Sequence, residues 1–462
     1  MVASAAFISG CATFITPTAD VKPVVALWWK KLALVLVLGT LLLTPAMAAV
    51  TDAPPSAVFP GDECGFVIKS DGSLWAWGNN NNGQLGDGTY IDRFVPVLVK
   101  NYADDFGGNL TGVSTIDSGL GYTVILKKDG TVWASGNNDA VQLGKRNRAD
   151  PAVFSQVPNV TNVAYVDAGE GHVLVLKGDG TVWSWGDNSY GQLGNGSKAL
   201  TAEPAVVTGI QGIRSVAAGG RHSVATYGME VYAWGDNIFG QLGDGTRVSS
   251  NKPVKVKING VTEVAAGEYH TLALMEDGTV WAWGGNDYGQ LGDSIANNSI
   301  VPVKSGPLKN VKAIAASDRY SLALKYDGTV WVWGYNGNGV IGNGKTDTAR
   351  HPEPTQVAGL YDIKKIYATP TGCMAIDVYG NVWVWGQNQY GQLGDGTRTD
   401  RYTPEPWFPS LAPWWSPATP TPVPATPTPT ATPTPTPTPA PTPGFALVLA
   451  ALLGAYLLAG RR

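Results

Sequence analysis

Apolar and polar positions along this chain keep changing phase. "HTLALME" (His270 to Glu276) alternates with a period of two, as a half-buried strand does. Asp277-Gly278 follows, and glycine there takes the positive φ that a tight hairpin demands. "TVWAWG" (Thr279 to Gly284) reads as the next strand, rich in β-branched and aromatic residues. "NDYGQLGDS" (Asn286 to Ser294) then winds through glycines. Upstream stand "PVKVKI" (Pro253 to Ile258) and "VTEVAAG" (Val261 to Gly267). In that order the unit is four short strands, with "PVKVKI" first.

The unit recurs. The glycine ending each Trp-x-Trp-Gly-like element falls at Gly78, Gly136, Gly186, Gly235, Gly284, Gly334 and Gly386. Seven units of about fifty residues therefore follow one another. Four-stranded units repeated radially make a propeller. A linear stack would need capping repeats at both ends, and none is visible. "AVFPG" (Ala57 to Gly61) matches a second strand and "RYTPEPW" (Arg401 to Trp407) a first strand. The pattern predicts an all-β, seven-bladed β-propeller of four-stranded antiparallel blades over 49–410. One blade would be assembled from both ends of the chain, leaving no open sheet edge.

Composition sharpens this picture. Charged residues are 15% of the 462, below the usual quarter, while 58 Gly and 17 Trp supply turns and an aromatic core. A formal net charge of −4 gives no attraction for nucleic acid. Three Cys are too few for a disulfide scaffold.

The two ends read as addresses. Lys30 and Lys31, the apolar run Leu32 to Leu43 and "TPAMAAV" (Thr44 to Val50) form a secretory signal pattern over 1–48, with cleavage expected after Ala48. Residues 411–443 are dominated by Pro, Thr and Ala, a polyproline stalk. Residues 444–462 hold an apolar run, Phe445 to Gly460, and then Arg461-Arg462, a short transmembrane helix whose Arg pair stays inside. The order of stalk, Pro443-Gly444-Phe445, short span and basic end is similar to the PGF carboxy-terminal sorting signal of archaeal surface proteins. That resemblance implies removal of the helix by an archaeosortase and replacement by a lipid anchor; a tail anchor that stays in place is the alternative. Either way the propeller is expected on the outer face of the cell membrane. Four sequons, at Asn109, Asn159, Asn195 and Asn297, fit an exported glycoprotein.

The stretch "AAGEYHTLALMEDGTVWAWGGNDYGQLGD" (Ala265 to Asp293) and its six counterparts resemble the regulator of chromosome condensation repeat family. The resemblance runs from about Ala57 to Trp407 and implies a seven-bladed propeller. Members of that family include a nuclear exchange factor for a small GTPase and a secreted β-lactamase-inhibitor protein. Repeat two departs most, with Ser135 at the second Trp position and Lys145-Arg146 in place of Asp-Gly. Repeat four has Tyr232 for the first Trp, and repeat six has "GVIGNG" (Gly339 to Gly344) for "GQLGDG".

Candidate chemistry is sparse. His172, His222 and His270 share one repeat position, occupied elsewhere by Cys64, Tyr122, Tyr320 and Gly372. Blade packing with hydrogen bonds to backbone explains them better than a metal site, because no zinc spacing is present. Cys64 and Cys373 sit on corresponding strands of neighbouring blades, one residue out of step, and read as two buried thiols or as a disulfide. The Asp-Gly steps of the "GDGT" loops suit Asx turns better than calcium, since the EF-hand spacing is missing. No nucleophile elbow, phosphate loop or His-Glu-x-x-His is present.

Surface variation is then the place to look for binding. The long connection "KNYADDFGGNLTG" (Lys100 to Gly112), with Asp104, Asp105 and Phe106, is one candidate partner site. "KRNRAD" (Lys145 to Asp150), with Lys145, Arg146 and Arg148, is the other. The expectation is a monomeric, non-enzymatic cell-surface propeller that binds a protein or glycan and needs no cofactor. Two alternatives stay open. Guanine-nucleotide exchange is implied by the family resemblance, and export argues against it. A surface hydrolase or lyase would be favoured by acids of shifted pKa clustered around the channel.

Overall fold

A computed structural model describes residues 57–101, 108–147 and 151–407. All of them belong to the first of two compact units, 1–411 and 412–462. The signal region, Asp104, Asp105, Phe106, Arg148, the stalk and Pro443-Gly444-Phe445 lie outside the described residues.

Seven four-stranded sheets follow one another, each built from four consecutive strands. Blade 1 is Ala57–Pro60, Cys64–Ile68, Leu74–Gly78 and Arg93–Leu98. Blade 7 is Ile363–Thr369, Gly372–Asp377, Val382–Gly386 and Arg401–Trp407. Every pairing within a blade is antiparallel, as in Cys64 opposite Gly78 and Gly372 opposite Gly386. The seven-bladed, all-β reading of the sequence is the observed fold.

The frame of the repeat is shifted by one strand. Pro253 to Ile258 lies within Ser250–Asn259, which pairs with Glu230–Gly235 as the outer strand of blade 4. It does not open blade 5, so the expectation of one blade shared between the two ends is corrected. Blade 1 is wholly amino-terminal and blade 7 wholly carboxy-terminal. The ring closes by packing blade 7 against blade 1 without exchanging a strand. The physical reason lies in the outer strand, whose ladder partner is the Trp-bearing strand immediately before it in sequence.

Packing follows the repeated phrase. The second Trp of Trp-x-Trp-Gly is fully buried in six blades: Trp77, Trp185, Trp234, Trp283, Trp333 and Trp385. Each indole N–H donates to a carbonyl of the preceding blade, as Trp283 does to Gln241 at 2.9 Å and Trp385 to Val340 at 2.7 Å. A buried indole needs such a partner. Gly243 must be glycine for the same reason, because a Cβ there would stand 2.8 Å from Trp283 Nε1. In blade 2 Ser135 keeps the bond, donating to Gln84 O at 3.4 Å. Phe154, 3% exposed, lies against Gly86 where the indole stands at the other seams. The first Trp faces outward and is held locally. Trp183 Nε1 donates to Thr181 Oγ1, which itself donates to Asp179, and Lys177 covers the ring at 4.9 Å.

Two faces result. Turns between the second and third strands, and links from one blade to the next, lie on what we term the hairpin face. Turns between the first and second strands, and the "GQLGDG" loops, lie on the opposite mouth face. Ala57 pairs with Ile68 and Trp407 with Val382, so both ends of the described chain reach the hairpin face.

Candidate functional site

The mouth face is organised by one short frame. The innermost strand of most blades ends in a glycine, then two variable residues, then His or Tyr. In "GGRH" the ring of His222 packs on Gly219, where a Cβ would stand 2.4 Å from its Cε1. The ring then reaches the next blade: His172 Nε2 meets Ser223, His222 Nε2 meets Thr271, and His270 Nε2 meets Ser321, each at 2.9 Å. Ser223, Thr271 and Ser321 spend their own protons on Gln192, Gln241 and Gln290 carbonyls. Each imidazole therefore donates through Nε2. Nδ1 is left buried without a partner in all three.

These histidines pack blades as expected, but their partners are side-chain hydroxyls. Tyr takes the backbone instead: Tyr122 donates to Gly169 O and His172 O, and Tyr320 to Thr369 O and Gly372 O. The residue on the next blade follows suit. It is Ser or Thr after His, and Val173 or Cys373 after Tyr. Burial holds His172 down at about 4, and His222 and His270 at about 3. Among the described residues no group of three or more His, Cys, Asp or Glu could hold a metal ion.

The two variable residues form the rim of the central channel, which has a volume of about 650 Å³. Acids occupy the first slot on four blades: Asp62, Glu170, Glu268 and Asp318. Arg221 reaches Glu170 at 3.3 Å and Arg319 reaches Glu268 at 3.5 Å. Asp62 has no such cation. Burial, then Glu63 and Asp318, push it up to about 8 against one amide bond from Gly121. Burial and Glu268 raise Asp318 to about 6.

Deeper in the channel stand Asp117, Asp167 and Glu263. Burial raises all three, Glu263 to about 7, and the negative charge of Asp117 adds to the rise of Asp167. Each also ties its innermost strand to the next one. Asp117 accepts from Ala168 N at 2.6 Å, Asp167 from Ala218 N at 3.2 Å and Glu263 from Ile314 N at 3.4 Å.

Beside the channel a cleft of about 540 Å³ opens over blades 1 to 3. It exists because the residue before "GQL" is Asn82 in blade 1 and Ala140 in blade 2, where blades 3 and 5 carry Tyr190 and Tyr288. Asp62, Glu63, Asp139, Glu170 and Asp187 line it. Among its described lining residues Arg221 is the single cation, and it already serves Glu170 and stacks on Tyr190 at 5.2 Å. Leu120, 65% exposed, rises beside these acids.

The sites expected from sequence stand elsewhere. Lys100 bridges Asn109 at the base of the long connection, on the hairpin side. Lys145 and Arg146 lie in the "GQL" loop of blade 2, on the mouth side, so the two candidates do not converge. Lys145 donates to Ser155 Oγ at 2.6 Å, and Arg146 pairs with Glu203 at 2.9 Å. Cys64 and Cys373 are free, buried thiols. Cys64 turns toward Ser118 of blade 2 and Cys373 toward Tyr320 of blade 6, so the disulfide does not form. The "GDGT" carboxylates make Asx turns, as Asp244 does by accepting from Thr246 N at 2.8 Å. Asn109, Asn159 and Asn297 are exposed; Asn195 is half-buried and its side-chain carbonyl accepts from Ser197 N. The acidic rim was missed. Its signal was the pair of residues that varies inside a constant frame: Asp62-Glu63, Glu170-Gly171, Glu268-Tyr269, Asp318-Arg319.

Comparison with known proteins agrees with this architecture. The RCC1-like domain family matches residues 150–364, and the regulator of chromosome condensation (RCC1) repeat matches 71–126 and 379–414. The RCC2 homologue of Danio rerio is 33% identical over 90 residues, 20% of this chain and 17% of that protein. The E3 ubiquitin-protein ligase HERC2 of Homo sapiens is 33% identical over 89 residues, 18% of this chain and 2% of that protein. The matching stretch thus spans less than a fifth of these relatives. Yeast RCC1 (Prp20), solved bound to Kap60, superposes with a TM-score of 0.64 at 22% identity, covering 72% of this chain and 83% of that one. Human WBSCR16 gives 0.62 at 27% identity, covering 72% and 92%. The chain is an RCC1-like propeller.

Proposed function

We propose that this protein is a non-enzymatic docking propeller, displayed on the cell surface, whose mouth face receives a protein segment bearing Lys or Arg side chains. The observation that carries this reading is the cleft over blades 1 to 3, where five acidic side chains face one cation that is already paired with one of them, Glu170. A desolvated cation entering there meets Glu63, Asp139 and Asp187, none of which pairs with a described cation, with Leu120 and Tyr190 for its aliphatic stem. Both ends of the described chain lie on the other face. The signal pattern over 1–48, the 411–443 stalk and the apolar 444–462 segment support display outside the cell. The same features speak against nucleotide exchange on a cytosolic GTPase.

A fluorescent hexa-arginine peptide tests the docking reading, with a neutral Gly-Ser hexamer as control. Binding to the full-length protein at low salt should weaken about tenfold or more when Asp62→Asn, Glu63→Gln and Asp139→Asn are combined. Replacing Lys100–Gly112 by a short linker should leave it unchanged. Undiminished binding by the triple variant would sink the proposal.

One observation favours a second reading, a channel hydrolase. Asp117 and Asp167 form a carboxyl pair of raised pKa inside the channel. Against it, both already accept backbone amides of the next blade. Turnover of nitrophenyl glycosides that disappears in Asp167→Asn would decide for the enzyme.

A further inference from the structure

The glutamates of blades 3 and 5 meet over the blade between them. Blade 4 carries Gly220 at the rim slot, and a Cβ there would lie 3.0 Å from Glu170 Oε1 and 3.0 Å from Glu268 Cγ. The missing side chain leaves room for Glu170 and Glu268 to converge on one point, and burial and the neighbouring Glu268 raise the Glu170 carboxyl. Two carboxyls brought this close stay together only while they share a proton. Gly220 N donates to Gly267 O at 3.2 Å directly beneath, joining blades 4 and 5.

We infer that the Glu170–Glu268 pair is a proton-dependent latch across the channel mouth, closed while one proton is shared and open once both carboxyls are ionised. The inference rests on the docking role proposed above and supplies its regulation. The charged surroundings set the balance. Burial and Glu268 raise Glu170, and Arg221 opposes them. On the other arm Arg319 approaches Glu268 at 3.5 Å, and Tyr269 is its neighbour in the chain. Asp318 and Asp62 face the pair from blades 6 and 1, and add negative charge as they ionise. Tyr190 and Tyr288 lie under the two guanidinium groups, at 5.2 and 5.3 Å. With rising pH the shared proton leaves, the carboxylates repel, and the rim over blade 4 loosens. The open mouth is also the more anionic one, so a cationic segment is admitted as the latch releases.

The latch has a readout that needs no ligand. Amide hydrogen exchange of the segment 219–222, corrected for the intrinsic pH dependence, should show opening that rises about tenfold between pH 5 and 8 in the full-length protein. Glu170→Gln keeps a hydrogen-bond donor without the titrating proton and should hold the segment equally protected at both pH values. Gly220→Ala wedges the pair apart and should leave it open at both. Identical pH profiles for the native protein and Glu170→Gln would overturn the latch. Hexa-arginine affinity in the same series separates the two ideas. Loss of binding at every pH with a normal exchange profile would count against docking alone. Binding with the exchange profile of Glu170→Gln unchanged from native would count against the latch alone.

Discussion

The indole N–H of Trp77 donates a 2.9 Å hydrogen bond to the carbonyl of Gln392, 315 positions further along the chain. Trp77 also stacks on Trp407, with ring centroids 5.1 Å apart. These contacts belong to the same interblade bond that the other seams use, applied between the first blade and the last. They close the ring where no strand is exchanged.

Trp77→Ala is therefore expected to cost about 3–5 kcal/mol, the usual range for a large aromatic removed from a core. Trp75→Ala, on the outward side of the same strand, should cost clearly less. Urea unfolding followed by circular dichroism checks the order of the two. Equal losses would mean the seam is not what holds the ring.

The glycine after "GQL" makes the matching claim from the other side of a seam. Gly243→Ala places a Cβ against Trp283 Nε1 in a backbone of φ 65°, and should destabilise by about 1–3 kcal/mol. Gly359→Ala shares the positive φ of 80° but meets nothing within 4 Å, and isolates the cost of the backbone alone. Thermal melting of the two variants separates close approach from strain.

Stability should pass through a maximum in mildly acid solution. His172, His222 and His270 are held far below their ordinary 6.5, so unfolding takes up protons and stability falls as pH drops below 6.5. Asp62, held at about 8 against an ordinary 3.8, works the other way, and so does Glu263, held at about 7. Unfolding releases their protons, so stability falls as pH climbs from about 4 toward 8. Melting temperature against pH should peak between about 4 and 6.5. Asp62→Asn should flatten the alkaline limb and His222→Asn the acid one. A native profile flat from pH 4 to 8 would refute both assignments.

The thiols of Cys64 and Cys373 should be inert until the ring opens. Burial pushes Cys373 up to about 12 and Cys64 higher still, and thiolate is the reactive form. A chromogenic thiol reagent should find neither in the folded protein and both in guanidinium. Failure to titrate after denaturation without reductant would reveal a disulfide and contradict the opposed directions of the two side chains.

Much of this was legible in the chain because one phrase had to be written seven times. The period, the hairpin turns and the paired Trp announce a propeller, since each blade needs the same strand, turn and interblade anchor. The histidine position was legible as packing. Its partner was not, because Ser223 and Thr271 stand one blade away and only the ring brings them over. The strand frame was misjudged for a similar reason. Sequence gives the order of four strands, but not which neighbour in that order takes up a strand's free hydrogen bonds.

The acidic rim marks the boundary between the two kinds of knowledge. Asp62, Glu170, Glu268 and Asp318 are separated by about fifty to a hundred positions and share nothing but the first place in the turn after the innermost strand. Sequence alone determined the repeat, the turns and the aromatic anchors. Tertiary structure decided that those four carboxylates crowd one channel mouth, and that Lys145 and the Lys100 connection lie on opposite faces. Local patterns fix what each blade is, because a strand and its turn answer to near neighbours. Charge acts through space, so its meaning waited for the ring to close.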